Sequence, residues 1–118
     1  MKQLGFTIFV LFALAVADNA VVKSLGWDAP TTYTNGEPLP TSEIKQYNIY
    51  WGTVNGGPYP NMVSTAGAEV TLDVDLAIGN RIYVVCTCVA INDLESDFSE
   101  QLAINLRKPN KPLSLRLQ

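Results

Sequence analysis

The stretch Leu25-Gly26-Trp27-Asp28-Ala29-Pro30 decides the fold of this chain. Leu25 and Trp27 stand two positions apart, so on a β-strand both side chains point to the same face. Pro30 ends that strand, because proline has no N–H to donate to a ladder and restricts the residue before it. A buried tryptophan is one of the largest apolar contributions to a small domain. We therefore expect Trp27 to be a buried core residue over which the later strands close.

The rest of the chain divides into short strands, because alternating apolar residues are separated by clusters of glycine, proline, asparagine and aspartate. The pattern predicts strands over 19–27, 44–51, 61–64, 69–76, 81–91 and 100–106. In the second of these, Tyr47, Ile49 and Trp51 share one face, and Asn48 and Tyr50 take the other. No amphipathic helix of useful length appears, so the sequence predicts an all-β antiparallel β-sandwich.

Four motifs in this order resemble a fibronectin type III domain, closest to the bacterial and phage versions. They are the Leu-x-Trp-Asp-Ala-Pro run of 25–30, Tyr47–Thr53, Leu76–Gly79 and Glu95–Ser99. The resemblance covers 21–106 and implies a seven-strand, two-sheet immunoglobulin-like sandwich. Two departures stand out. Ile82 occupies the place of the family's corner tyrosine, and strand A, the family's first strand, is apparently missing at the N-terminus.

The N-terminal residues carry the features of a secretory signal peptide. Lys2 supplies the positive charge, 4–16 is almost wholly apolar, and Ala15-Val16-Ala17 is a small-x-small cleavage site. We expect a signal peptide at 1–17, a domain at 18–106 and a tail at 107–118, in a secreted protein without a stable membrane span. A retained membrane anchor is the alternative.

Charge is divided unevenly along the chain. From 18 to 106 three basic residues stand against eleven acidic ones, a net charge of −8, whereas 107–118 carries four basic residues and no acid, a net charge of +4. An acidic body disfavours nucleic acid as a partner. The same division lets the tail of one molecule attract the body of another.

The sequence favours a non-enzymatic protein with no cofactor. It has no histidine and only two cysteines, Cys86 and Cys88, too few for the usual zinc ligand sets or for a disulfide framework. The two cysteines lie at i and i+2, so both point inward as buried thiols whose parallel Cβ vectors disfavour a mutual disulfide. Asp73 and Asp75 share the polar face of a strand and are expected to be solvated.

The tail ends in a pattern typical of a strand. Leu113, Leu115 and Leu117 alternate with polar residues, among them Arg116, and follow a basic linker that contains two prolines. The segment resembles the strand that is missing at the front. We expect it to insert into a second copy of the chain, which gives head-to-tail self-association. The alternatives are a frayed tail or an extension of the last strand.

A second hypothesis makes the protein a surface-binding module for a glycan or another surface protein. It acts through loops 28–43 and 92–99, the B–C and F–G loops of the fibronectin resemblance. Exposed aromatic rings can stack on sugars, and acidic loops can bind basic partners. The candidate residues are Tyr33, Asp93, Glu95 and Asp97 in these loops and Tyr59 in the turn at 52–60.

Overall fold

Residues 19–118 are described by a computed structural model, and they form six antiparallel strands. The predicted signal peptide at 1–17 lies outside the described residues. The strands are β1 (Ala20–Gly26), β2 (Ile44–Gly52), β3 (Asn61–Ser64), β4 (Thr71–Ala77), β5 (Arg81–Ala90) and β6 (Leu102–Asn105). A short 3₁₀ turn at Thr41–Glu43 precedes β2.

The strands form two packed sheets, which confirms the prediction of an all-β antiparallel sandwich. One sheet has two strands, β1 and β4, and the other has four in the order β3-β2-β5-β6. The register places Ile49 opposite Cys86 and Trp51 opposite Val84, so the predicted apolar face of β2 points toward the other sheet. All six strands were located from the sequence to within two residues at each end.

The last strand begins two residues later than predicted, because serine side chains take the place of the backbone acceptors that a regular β-ladder would offer to β5. Backbone N–H groups of β5 donate to hydroxyl oxygens, from Cys86 to Ser99 Oγ at 3.0 Å and from Cys88 to Ser96 Oγ at 2.9 Å. A side-chain acceptor satisfies the strand without requiring regular backbone pairing. The segment before β6 therefore follows β5 as an irregular edge.

The core is centred on Tyr47, Ile49 and Leu76, which are the largest side chains with almost no exposed surface. Ile82 is also buried in this core, at the place where the fibronectin resemblance expects a tyrosine. Trp27 packs against the core at its margin and is only partly buried, which corrects the expectation of a fully buried residue. Its ring meets that of Tyr47 edge-on, with 5.2 Å between the centroids.

The two cysteines face inward as predicted, but they are not fully buried. Both are free thiols of intermediate exposure that pack against the core. The inward-facing residues that precede them on β5, Ile82 and Val84, are buried. The difference arises because the two-stranded sheet does not cover this end of β5. Burial still raises the pKa of the Cys88 thiol, and the neighbouring Cys86 adds to that effect.

The tail leaves the sandwich at Arg107 and forms no strand. Leu113, Leu115 and Leu117 are fully exposed. The tail therefore neither folds back onto its own domain nor extends β6. No helix within 19–118 is long and apolar enough to cross a membrane.

Candidate interaction site along β1

One edge of β1 has no strand partner among residues 19–118. The strand pairs with β4 over its whole length, from Ala20 opposite Ala77 to Gly26 opposite Thr71, and the two form a sheet of their own. Within residues 19–118, the backbone N–H and C=O groups along this free edge form no hydrogen bonds to a neighbouring strand. Such an edge is a template for pairing with another strand.

An apolar recess opens between the second half of β1 and β6. Its volume is about 240 Å³, and its apolar lining includes Leu25, Trp27, Ile49, Val84 and Leu102. Leu102 is paired with the buried Val84 and so lies on the inner face of its sheet, yet 51% of its surface is exposed. An inward-facing leucine remains exposed when the layer that should cover it is absent.

A second recess, of about 610 Å³, lies at the beginning of β1. Val21, Ile78 and Leu106 form its apolar part, and Lys23, Arg107 and Lys108 border it. The turn between β4 and β5 ties this end together, because Gly79 donates its N–H to the carbonyl of Leu106 at 2.8 Å. We call the two recesses and the free edge of β1 between them the edge cleft.

The two ends of the edge cleft differ in charge. Asp28 and Asp97 border the opening next to Trp27, and Glu100 lines the recess between β1 and β6. Within residues 19–118, none of these three carboxylates forms an ion pair. The ion pair in this part of the chain joins Lys45 to Asp93. The opposite end carries basic side chains instead. A basic segment is therefore attracted to the Trp27 end.

The sequence singled out neither Leu102 nor Asp28 as part of a site, and it named Asp97 only as a candidate of the loop surface. Leu102 and Ile104 alternate in the same way as core residues on any strand, so the pattern alone assigns both to the core. Their different exposure depends on what lies across the sandwich. Only the arrangement of the two sheets brings Leu102 opposite Trp27.

The predicted loop residues lie in several different environments. The Tyr33 hydroxyl donates to Glu43 Oε1 at 2.6 Å, and this bond raises the pKa of Tyr33. Asp93 pairs with Lys45 Nζ at 2.6 Å, although both side chains are largely exposed. Asp97 is exposed. Glu95 borders a recess of about 280 Å³ shared with Tyr33 and another of about 370 Å³ shared with Asp97.

Tyr59 belongs to an aromatic row that the sequence did not predict. Phe98 meets Tyr50 and Tyr59 edge-on, at centroid distances of 5.4 and 5.5 Å, and remains 54% exposed. The hydroxyl of Tyr59 donates to Gln101 Oε1 at 2.7 Å. Tyr33 and Asp97 thus share recesses with Glu95, Tyr59 packs against Phe98, and Asp93 pairs with Lys45.

Glu95 fixes this loop on the outer face of the four-stranded sheet. Its carboxylate accepts hydrogen bonds from the hydroxyls of Thr87 and Tyr50 and from Asn48 Nδ2 at 3.1 Å. These hydrogen bonds lower the pKa of Glu95 below its usual value of 4.5, and the bond from Thr87 has the largest effect. The carboxylate also covers Asn48 and Thr87, which explains why two polar residues of an outward face are buried.

This lowered pKa predicts that the protein loses stability in acid. A carboxyl group whose pKa is lower in the folded state stabilises that state above its unfolded pKa and loses the effect as pH falls through the folded one. We expect the free energy of unfolding to decrease as pH falls below about 4.5. Urea denaturation between pH 6 and pH 3 should show a smaller decrease for Glu95→Gln than for the parent. Equal decreases would contradict the role of Glu95.

The fold and the edge cleft define the class of this protein as an antiparallel β-sandwich in which, within residues 19–118, one edge of β1 is free. Comparisons of the chain with protein-family models, with curated proteins and with solved structures find no match.

Proposed function

We propose that this protein is a secreted, non-enzymatic interaction module that self-associates head to tail. The tail of one molecule enters the edge cleft of the next and pairs with β1 as an added strand. The observation that supports this most strongly is the coexistence of an open apolar cleft and an exposed strand-like tail in one chain.

The fold expected of such a module is a fibronectin type III-like sandwich that lacks its own first strand. In immunoglobulin-like sandwiches the second strand pairs with the fifth, and the third, sixth and seventh strands form the opposite sheet. The pairing of β1 with β4 and the order β2-β5-β6 agree with that arrangement. The strand expected next to β1 is the one that the tail resembles.

The dimensions of the tail fit the free edge. β1 has seven residues and is about 23 Å long at 3.3 Å per residue. The six residues from Leu113 to Gln118 span about 20 Å when extended. Their three leucines then lie on one face, where they can cover the apolar lining of the cleft.

We infer that the tail does not enter its own cleft antiparallel to β1. It leaves the body beside the beginning of β1, where Leu106 accepts a hydrogen bond from Gly79. An antiparallel strand must begin at the Trp27 end, about 23 Å away. Six linker residues, 107–112, separate Leu106 from Leu113, and they span at most about 25 Å when fully extended. Entry of the tail into its own cleft would therefore need a fully extended linker, which favours the tail of another molecule as the antiparallel occupant.

The distribution of charge also supports an antiparallel direction of the tail along β1. In the antiparallel arrangement the incoming linker, with Lys108 and Lys111, lies at the end of the cleft that carries Asp28, Asp97 and Glu100. Burial of three leucines at about 1.5–3 kcal/mol each is largely offset by the ordering of six residues. Backbone hydrogen bonds and charge attraction must supply the net affinity, so we expect association to be micromolar and weakened by salt.

Sedimentation velocity at increasing protein concentration tests this proposal. The parent should form dimers and longer species at low salt, and Leu115→Asp should remain a monomer, because it places a charge on the inserted face. Ser114→Asp is the matched control, since it adds the same charge to the other face. If Leu115→Asp associates like the parent, the tail is not the donor. If the parent is a monomer throughout, the self-association proposal is wrong.

The surface-binding hypothesis is the second candidate function, and the recesses on either side of Glu95 are the observation that favours it. A binding module that acts through these loops retains its glycan or protein ligand when Leu115→Asp abolishes self-association. An assembly subunit loses its partner with that substitution.

A further inference from the structure

Cys86 lies on the floor of the edge cleft, at the point where the proposed donor strand enters. It lines the recess that contains Leu25, Trp27 and Leu102, and it also lines the opening bordered by Asp28 and Asp97. Cys88 borders that opening but not the recess between β1 and β6. Of the two thiols, Cys86 therefore lies closer to the path of the tail.

The backbone of Cys86 is held firmly, so its Cβ has a fixed position at the cleft. On one side it is paired with Ile49 of β2, in the centre of the sheet. On the other side it accepts a hydrogen bond from the Ser99 N–H at 2.8 Å and donates one to Ser99 Oγ at 3.0 Å. A group attached to this sulfur cannot be moved away by a shift of the strand.

We propose that Cys86 is a modification site that controls assembly, because a disulfide adduct on its thiol and a donor strand in the edge cleft exclude each other. This inference depends on the proposed function. Cys86 lines the recess of about 240 Å³ that would accept leucine side chains of the donor, so a group attached to its sulfur and those side chains compete for the same space. Modification therefore leaves the molecule without an acceptor site while its own tail stays free to donate.

The chemistry is thiol–disulfide exchange with a low-molecular-weight disulfide. The Cys86 thiol gives its proton to solvent, and the thiolate attacks one sulfur of the reagent. The S–S bond of the reagent breaks, a mixed disulfide forms on Cys86, and the other half leaves as a thiolate. A reducing thiol reverses the step. A disulfide with Cys88 does not compete, since both cysteines are free and lie two apart on one strand.

The carboxylates at the Trp27 end favour reaction with a positively charged disulfide over a negatively charged one. Asp28 and Asp97 border the opening through which Cys86 is reached. They repel an anionic disulfide and attract a cationic one, so cystamine should react faster than glutathione disulfide at low salt. The same charges attract the basic tail, so reagent and tail compete for one entrance.

The first experiment measures the rate at which the neutral reagent N-ethylmaleimide labels Cys86. It uses the full chain with Cys88→Ser, repeated with Cys88→Ala, so that mass spectrometry reports one thiol. Only molecules with an empty cleft react. Labelling should therefore be about threefold slower at a protein concentration tenfold above the association midpoint than at one tenfold below it. Adding Leu115→Asp should remove this concentration dependence.

The second experiment measures the reverse effect. Protein carrying one cystamine half on Cys86 should sediment as a monomer at concentrations where the unmodified protein associates, and dithiothreitol should restore association. The inference is overturned if the unmodified protein associates, yet labelling is independent of concentration or the modified protein still associates. The proposed function survives that result. It fails separately if Leu115→Asp associates like the parent.

Discussion

Replacement of Tyr47 by alanine is expected to lower the free energy of unfolding by about 3–5 kcal/mol, the usual cost of truncating a buried aromatic residue. Tyr47 is 1% exposed on a central strand, between Trp27 of the smaller sheet and the rest of the core. Small domains have about 5–15 kcal/mol of stability, so the variant should be largely or wholly destabilised. Urea denaturation followed by tryptophan fluorescence measures the loss.

Tyr47→Phe is the matched control, because it keeps the ring and removes only the hydroxyl. Among residues 19–118, that hydroxyl and the indole Nε1 of Trp27 are both buried without a hydrogen-bond partner. Burial raises the pKa of the Tyr47 hydroxyl, and the neighbouring Cys88 and Cys86 add to that effect. Since an unpaired buried hydroxyl contributes little, Tyr47→Phe should be at least as stable as the parent. A loss as large as that of Tyr47→Ala would mean that the hydroxyl, not the ring, holds the core.

The fold could be predicted from the sequence because its strands carry strong local signals. Period-two alternation in Thr71–Ala77 and Arg81–Ala90 gives both the strands and their inner faces. The clusters of proline and glycine between strands give the turns. These signals are local, and a local pattern does not show what covers a face.

The expectations that needed correction depend on the second sheet. Alternation correctly placed Trp27, Cys86 and Cys88 on inner faces, but their burial depends on a layer that extends across them. Within residues 19–118 the smaller sheet consists of β1 and β4, so that layer ends early. Leu102 is exposed for the same reason, because the smaller sheet does not extend across it. Its sequence pattern is the same as that of a core leucine, so the sequence could not distinguish the two.

Two parts of the loop surface were also beyond sequence reasoning. Glu95 was selected for its charge, but it acts in the structure by bonding to Thr87, Tyr50 and Asn48 across two strands. Phe98 gave no signal, because one aromatic residue in an acidic loop has no periodicity. Contacts between residues more than 40 positions apart, such as Asn48 and Glu95, are set by strand register.

The central claim is that assembly has a donor end and an acceptor end, and complementary variants separate the two. Leu115→Asp disables the donor and leaves the edge cleft intact. Leu102→Lys disables the acceptor, because it replaces an apolar side chain of the cleft by a charge that repels the basic tail. Leu102 is half exposed, so this change should cost little stability. Ala103→Lys, on the opposite face of β6, is the matched control and should associate like the parent.

Sedimentation velocity of these two variants, alone and mixed in equal amounts, tests the claim most directly. Each variant alone should remain a monomer at concentrations where the parent forms chains. The mixture should form a dimer of one Leu115→Asp and one Leu102→Lys molecule and nothing longer, because only one tail and one cleft remain functional in each pair. The account is contradicted if the mixture stays monomeric while the parent associates, or if either variant alone forms chains.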